Sequence, residues 1–288
     1  VREAARVALD RAAGAPGWYA RFLRDTLAGL DTPALLTREI DLRSPRDSLD
    51  LLTALEAIVR LERPERMRAL STRLFGDSKR LGALAGRITL VMREWDPGLS
   101  PAAETPADVL REYGVSALPG LLLLRGDVAF DLGGERLATA GWRPFIGIPE
   151  SAIYDGSVRS VEADAVLTIE NAESFFATCA LPGGELPERL LVVYSGGFST
   201  RAQIRFLGAL RRLLPPEVAF FHWGDLDLGG FRILLHMRRE VSAAIRPVAA
   251  TTEVVERYRG GASPLPPRQV EALRASASDL LAADLAGV

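Results

Sequence analysis

The chain has 288 residues, 48% hydrophobic and 25% charged, the balance of an ordinary globular protein with enough apolar mass for a core. One cysteine excludes a disulfide framework. With only two histidines it also excludes a zinc site of four Cys/His ligands. Any metal must then be held mainly by carboxylates and water, the ligand set of magnesium or manganese. The length favours two domains. Thirty-five basic residues against 37 acidic ones neither demand nor forbid nucleic acid. All the basic residues but Lys79 are Arg, a bias that a GC-rich genome explains. No run reaches the ~18–20 apolar residues of a membrane span. The first 30 residues carry charges throughout, unlike a signal peptide. The expectation is a soluble, cytoplasmic protein.

From Val1 to about Asp96 the apolar residues recur at helical spacing, as in Leu49, Leu52, Leu55, Ile58 and Val59. Asp96-Pro97-Gly98 stops this block. Thr105-Pro106 predicts an N-cap and first helical residue, with the helix running to about Tyr113 and ended by Gly114. Two strand-like runs follow, Gly120–Leu124 and Asp127–Leu132, which Arg125-Gly126 would join as a hairpin. Helices followed by a small hairpin are the order of a winged helix. From about Val161 strands and helices alternate. Strands are expected at Ala165–Ile169, Leu190–Tyr194, Val218–Trp223 and Arg246–Ala249. Helices are expected at Asn171–Thr178, Ser199–Leu214 and Gly230–Glu240. This alternation with short loops predicts a parallel sheet covered on both faces. The stretch 263–267 reads as a linker to a terminal helix.

In such a sheet the loops at the carboxyl ends of the strands form the ligand crevice. Glu170 follows the first strand, Ser195-Gly196-Gly197 the second, and Asp225 and Asp227 the third. Three carboxylates far apart in sequence would meet at one edge, a set suited to Mg²⁺. Taken singly, each has a plainer role. Glu170 can favour a helix start, Asp225 and Asp227 can cap a turn, and Ser199 can be an N-cap. His222 and His236 read as structural residues and Cys179 as an inert helix-end residue. The helix after the glycine loop carries Arg201 and Arg205 one turn apart, so its start offers a phosphate free N–H groups and positive charge. The stretch Arg63–Arg93 holds eight basic residues, Arg73, Lys79 and Arg80 among them, the local excess that duplex DNA requires. Stacking aromatics are sparse there, which disfavours single strands and RNA.

Three segments resemble the Toprim part of the JetD family, the nuclease subunit of the bacterial Wadjet defence system. They are Thr168-Ile169-Glu170-Asn171, Tyr194-Ser195-Gly196-Gly197-Phe198, and the run His222-Trp223-Gly224-Asp225-Leu226-Asp227-Leu228-Gly229-Gly230-Phe231-Arg232. Leu74-Phe75-Gly76-Asp77-Ser78-Lys79-Arg80-Leu81 resembles that family's upstream motif. The resemblance covers roughly residues 60–250. It implies an α/β and α+β multidomain chain, with a helical N-terminal arm remnant over 1–60, a winged-helix (CAP-like) DNA-binding domain over 61–160 and a Toprim parallel-sheet catalytic domain over 161–288. The Toprim part is related to the A subunit of type IIB topoisomerases. The resemblance further implies cleavage of plasmid DNA on recruitment by an SMC-like, kleisin-containing condensin-type complex. It makes Glu170 a metal ligand or general acid/base and Asp225 and Asp227 the metal-binding pair. Gly229 stands where many Toprim proteins carry a third acid.

The expectation is therefore a Mg²⁺- or Mn²⁺-dependent endonuclease acting on double-stranded DNA. Glu170, Asp225 and Asp227 would do the chemistry. Arg73, Lys79, Arg80, Gly196, Gly197, Ser199, Arg201 and Arg205 would hold the DNA. Cutting both strands calls for two sites, hence a homodimer. Two other readings remain. Topoisomerase A subunits and their recombination relatives use a winged-helix Tyr, but none lies between Tyr19 and Tyr113, leaving Tyr113 and a loop Tyr154. A non-catalytic DNA-binding subunit would not need its acids to converge. A dehalogenase-type phosphatase would require a Lys after the Asp-x-Asp, and none follows Lys79.

Overall fold

The periodic apolar residues of the first third do form helices. The computed structural model describes residues 1–32, 40–41, 43–99, 103, 105–118, 120–182, 185–197, 199–248, 256–257, 266–267, 270–271 and 274. In chain order come α1 (Arg2–Asp10), α2 (Gly17–Asp31), α3 (Pro45–Val59), the two-residue strand β1 (Glu65–Arg66), α4 (Met67–Phe75) and α5 (Arg80–Trp95). Their inward faces bury Tyr19, Phe22, Leu55, Ile58, Leu70 and Ile88 completely. The α6 helix (Pro106–Glu112) starts as its sequence predicts. Thr105 caps it, accepting from the Asp108 backbone N–H while the Asp108 carboxylate accepts from the Thr105 N–H, and Pro106 opens the first turn. Strand β2 (Val115–Ser116) then pairs in parallel with β1. These elements belong to one compact unit, Val1–Pro119.

A second unit, Gly120–Val288, is built from strands and helices. It contains β3 (Leu121–Arg125), β4 (Asp127–Leu132), β5 (Glu135–Ala138), β6 (Ile146–Pro149), α7 (Glu150–Asp155) and β7 (Gly156–Glu162). Then follow β8 (Ala165–Ile169), α8 (Ala172–Ala180), β9 (Leu190–Tyr194), α9 (Arg201–Leu213), β10 (Ala219–Trp223), α10 (Leu228–Glu240) and β11 (Arg246–Pro247). Six strands lie in the order β11-β10-β8-β9-β3-β6. The first four run parallel, β3 runs antiparallel to β9, and β6 antiparallel to β3. The expected mixture of helices with a sheet containing parallel strands is thus present. The boundary between the units falls inside the 61–160 stretch.

The predicted hairpin is not formed. β3 and β4 follow one another but belong to different sheets: β4 lies between β5 and β7 in a three-stranded antiparallel sheet. The Leu run accounts for this. Leu122 and Leu124 are fully buried, and β6 and β9 supply the apolar neighbours they need, Ile148 beside Leu122 and Val193 beside Leu124. Among the described residues, no helix is long and apolar enough to cross a membrane. Residues 263–265 of the expected linker, and Phe198 of the glycine-loop motif, lie outside the described residues.

Candidate functional site

The register of three neighbouring strands assembles the site. Trp223 pairs with Ile169, and Ile169 pairs with Tyr194. The ladder runs one step further, Glu170 N–H donating to Trp223 and Ser195 N–H to Ile169, each at 2.9 Å. Gly224, Glu170 and Ser195 therefore leave β10, β8 and β9 at one level, with Glu170 in the middle. This is the carboxyl edge where parallel sheets bind ligands.

Glu170 is half-buried and its Oε2 accepts from the Asp225 N–H at 3.2 Å. Burial pushes its carboxyl above the ordinary range. The Asp225 hydrogen bond opposes this, and the negative charges of Asp225 and Asp227 push it further up. Asp225 and Asp227 are exposed. Asp227 is the N-cap of α10, its Oδ1 accepting from the Gly230 N–H at 2.9 Å, so the capping role and the strand-end placement coincide. Among the described residues, no three His, Cys, Asp or Glu side chains stand together as a ready metal cluster. Mg²⁺ does not require one, because it keeps several waters and commonly takes one or two carboxylates beside substrate phosphate. Hard oxygen donors whose charges repel one another match such a cation.

The glycine loop lies beside these acids. Gly196 and Gly197 have φ of +63° and +79°, two successive left-handed residues that a side chain would strain. The α9 helix begins at Thr200 rather than at Ser199: Thr200 Oγ1 accepts from the Gln203 N–H, and Gln203 Oε1 accepts from the Thr200 N–H. Ser199 instead turns inward, 2% exposed. The hydroxyls of Ser195 and Ser199 are buried without a hydrogen-bond partner among the described residues. Arg201 and Arg205 lie exposed on the first turns of α9, and the Arg205 guanidinium sits 5.6 Å from the centre of the Tyr154 ring. Tyr154 is in α7, not in a loop.

The basic residues of the first unit behave differently. Arg73 is bound to Glu65 through two hydrogen bonds, at 2.6 and 3.2 Å. Arg80 forms ion pairs with Asp50, at 2.7 Å, and with Asp47. Lys79 is exposed, with its backbone N–H on Asp77. Tyr113 is 3% exposed and its hydroxyl donates to Asp96.

Three contacts were not anticipated. Glu150, 8% exposed, accepts from the Thr200 hydroxyl at 2.6 Å and so ties α7 to the glycine loop. The Thr-x-x-Gln spacing at 200–203 is a capping-box signature and could have named Thr200 as the cap. His222, 2% exposed, contacts Thr168 Oγ1 through Nδ1 at 2.9 Å, and burial pulls its pKa down to about 4. Its other nitrogen, Nε2, is buried without a hydrogen-bond partner among the described residues.

Residues 136–286 match the family model described as Wadjet protein JetD, C-terminal. The chain belongs to this family. Wadjet protein JetD of Bacillus cereus (strain Q1) is 22% identical over 213 residues, 73% of this chain and 50% of that protein. The chain thus spans about half the length of that relative. The family match contains Glu170, the glycine loop, Asp225 and Asp227, whereas Arg73, Lys79 and Arg80 lie before it.

Proposed function

We propose that this chain is a Wadjet-type defence subunit that hydrolyses phosphodiester bonds of duplex DNA with Mg²⁺ or Mn²⁺. In this reading the second unit's parallel sheet is a Toprim domain, and part of the chain before it is a winged helix. One observation carries the proposal. The strand register sets Glu170 between Gly224 and Ser195, where its carboxylate receives the Asp225 N–H and is crowded by two further negative charges.

Glu170 and Asp225 would hold the divalent ion, with Asp227 beside them. When bound, it would polarise the scissile phosphate and stabilise the leaving oxygen. If Glu170 does not ligate the ion, its place at the strand edge would let it take the proton of the attacking water. The two glycines and Arg201 receive the phosphate backbone, whereas Ser199, expected from the sequence to do so, is buried with its hydroxyl turned inward, as is Ser195. Arg205 extends this positive surface. Arg73 and Arg80 reach phosphate only by exchanging their carboxylate partners, so Lys79 is the readier contact of the three. A tyrosine nucleophile is disfavoured because Tyr113 is buried against Asp96 and Tyr154 is half-buried beneath Arg205.

Incubation with supercoiled plasmid and Mg²⁺ or Mn²⁺, alone and with the SMC-like complex, tests this proposal. Wild type should convert plasmid to nicked and linear forms, and Glu170→Ala and Asp225→Ala should not. Equal cleavage by the variants overturns the assignment, and a covalent protein–DNA adduct on denaturing gels replaces hydrolysis with transesterification. Two cuts per duplex also call for a homodimer, which sedimentation reads directly.

A further inference from the structure

We infer that His222 is a positioning residue for Glu170, its Nε2–H holding the carboxylate at the strand edge across the bare face of Gly224. The inference rests on the catalytic reading of Glu170 and goes beyond it, since His222 has no place in that chemistry.

Glu170 and His222 are level on neighbouring strands, because Ile169 pairs with Trp223 and Thr168 with His222. A Cβ added to Gly224 would stand 2.7 Å from His222 Nε2 and 2.8 Å from Glu170 Oε2. Both polar atoms therefore lie close to one point, and a side chain at 224 would clash with both. The two atoms are within about 5.5 Å of one another. That separation is closed by a small rotation of the Glu170 side chain or by one bridging water.

The tautomer follows from the proton count. The Thr168 hydroxyl lies 2.9 Å from His222 Nδ1 and 3.1 Å from the Phe221 carbonyl oxygen, and its single proton serves one of them. Donation to Nδ1 leaves the ring proton on Nε2, within about 5.5 Å of a carboxylate oxygen. Donation to Phe221 would instead leave an acceptor lone pair facing that carboxylate, two acceptors opposed in a buried place. The first arrangement is the favourable one, and it turns an unpartnered buried nitrogen into the donor Glu170 needs. Donors of this kind behind a ligating or catalytic carboxylate fix its orientation.

The test uses the full chain with ¹⁵N-labelled histidine, in which His222 and His236 are the two signals. His222→Gln assigns them. His222 should carry its proton on Nε2, with Nδ1 bare. Glu170→Gln and Gly224→Ala should each move the Nε2 resonance of His222 and leave His236 in place. A proton on Nδ1, or an Nε2 resonance indifferent to Glu170→Gln, overturns the inference. Plasmid cleavage supplies an independent arm. His222→Gln keeps a donor near the Nε2 position and should retain activity. His222→Asn keeps only the Thr168 contact and should lose activity by on the order of 10–100-fold; the reverse ranking would mean that His222 merely fills its site. A wild-type chain that cuts nothing counts against the hydrolase reading alone, and the resonances then decide the positioning role.

Discussion

Both units pair cations with carboxylates, as Arg159 with Asp131 and Arg189 with Asp164 in the second, but they differ at one cluster of acids. In the first, cations are matched by carboxylates of the same unit: Arg80 by Asp47 and Asp50, Arg73 by Glu65, Arg111 by Asp108. In the second, Glu170 sits half-buried with two aspartates near it, and its carboxyl is pushed up rather than down. Net charge obscures this contrast. Residues 1–119 hold 17 acids and 18 bases, and residues 120–288 hold 20 and 17. An arginine-rich stretch that reads as a DNA-binding face engages two of its cations with carboxylates of its own unit, while the unit that is slightly acidic keeps its repulsion at a strand edge. Unrelieved like charge in a fold is a cost to stability, and it is expected where a ligand relieves it.

The largest effect that would sharpen this contrast is on catalysis. Glu170→Ala should lower plasmid cleavage by about 100-fold or more, the scale of general acid–base and ligand losses, without lowering the thermal midpoint. Next comes acid sensitivity in the second unit. His222 and His236 are both buried there, with pKa pulled down to about 4, by burial and, for His236, also by Arg239. The unfolded chain takes up protons at the ordinary His pKa of about 6.5 and the folded chain does not. Stability is therefore full above about pH 7, falls by roughly 1.4 kcal/mol per pH unit per histidine down to about pH 4, and levels below it. Urea titrations across this range should show the slope, and His236→Gln should remove the share that His236 contributes. Glu170 acts in the opposite sense, because its raised folded pKa makes protonation stabilising.

A smaller effect belongs to the first unit. Arg80→Ala should lower the thermal midpoint by about 2–4 °C, since it leaves Asp47 and Asp50 unmatched. Arg73→Ala, at a more exposed pair, should cost less than about 2 °C. If either variant instead weakens DNA binding as strongly as Arg201→Ala while leaving the midpoint unchanged, the division between structural and functional charge fails.

The parallel strands were legible because their signals are local. Ala165–Ile169 and Leu190–Tyr194 are short apolar runs bounded by breakers, and each is a strand with those ends. Chain direction then carried Glu170, Ser195 and Asp225 to one edge without further information. What escaped was set by distant partners. Nothing within Leu121–Arg125 says that its neighbour is Val192–Val193 rather than the next run of chain. Nothing near Arg80 says that Asp47 and Asp50 neutralise it from more than 29 positions away. Ser199 and Thr200 are equally good caps by type, and the buried place beside the glycine loop took Ser199. The unpartnered Nε2 of His222 is likewise a property of packing, since its residue type and apolar neighbours alone read as an ordinary core histidine.

The claim that Glu170 holds unrelieved charge for a cation is tested most directly by thermal unfolding with and without Mn²⁺, in wild type and Glu170→Gln. The account predicts that the variant unfolds a few degrees higher than wild type without metal, about 2–4 °C for each kcal/mol of repulsion removed. It also predicts that Mn²⁺ raises the midpoint of wild type and not of the variant. A variant that is less stable than wild type without metal, or that gains as much from Mn²⁺, would contradict it.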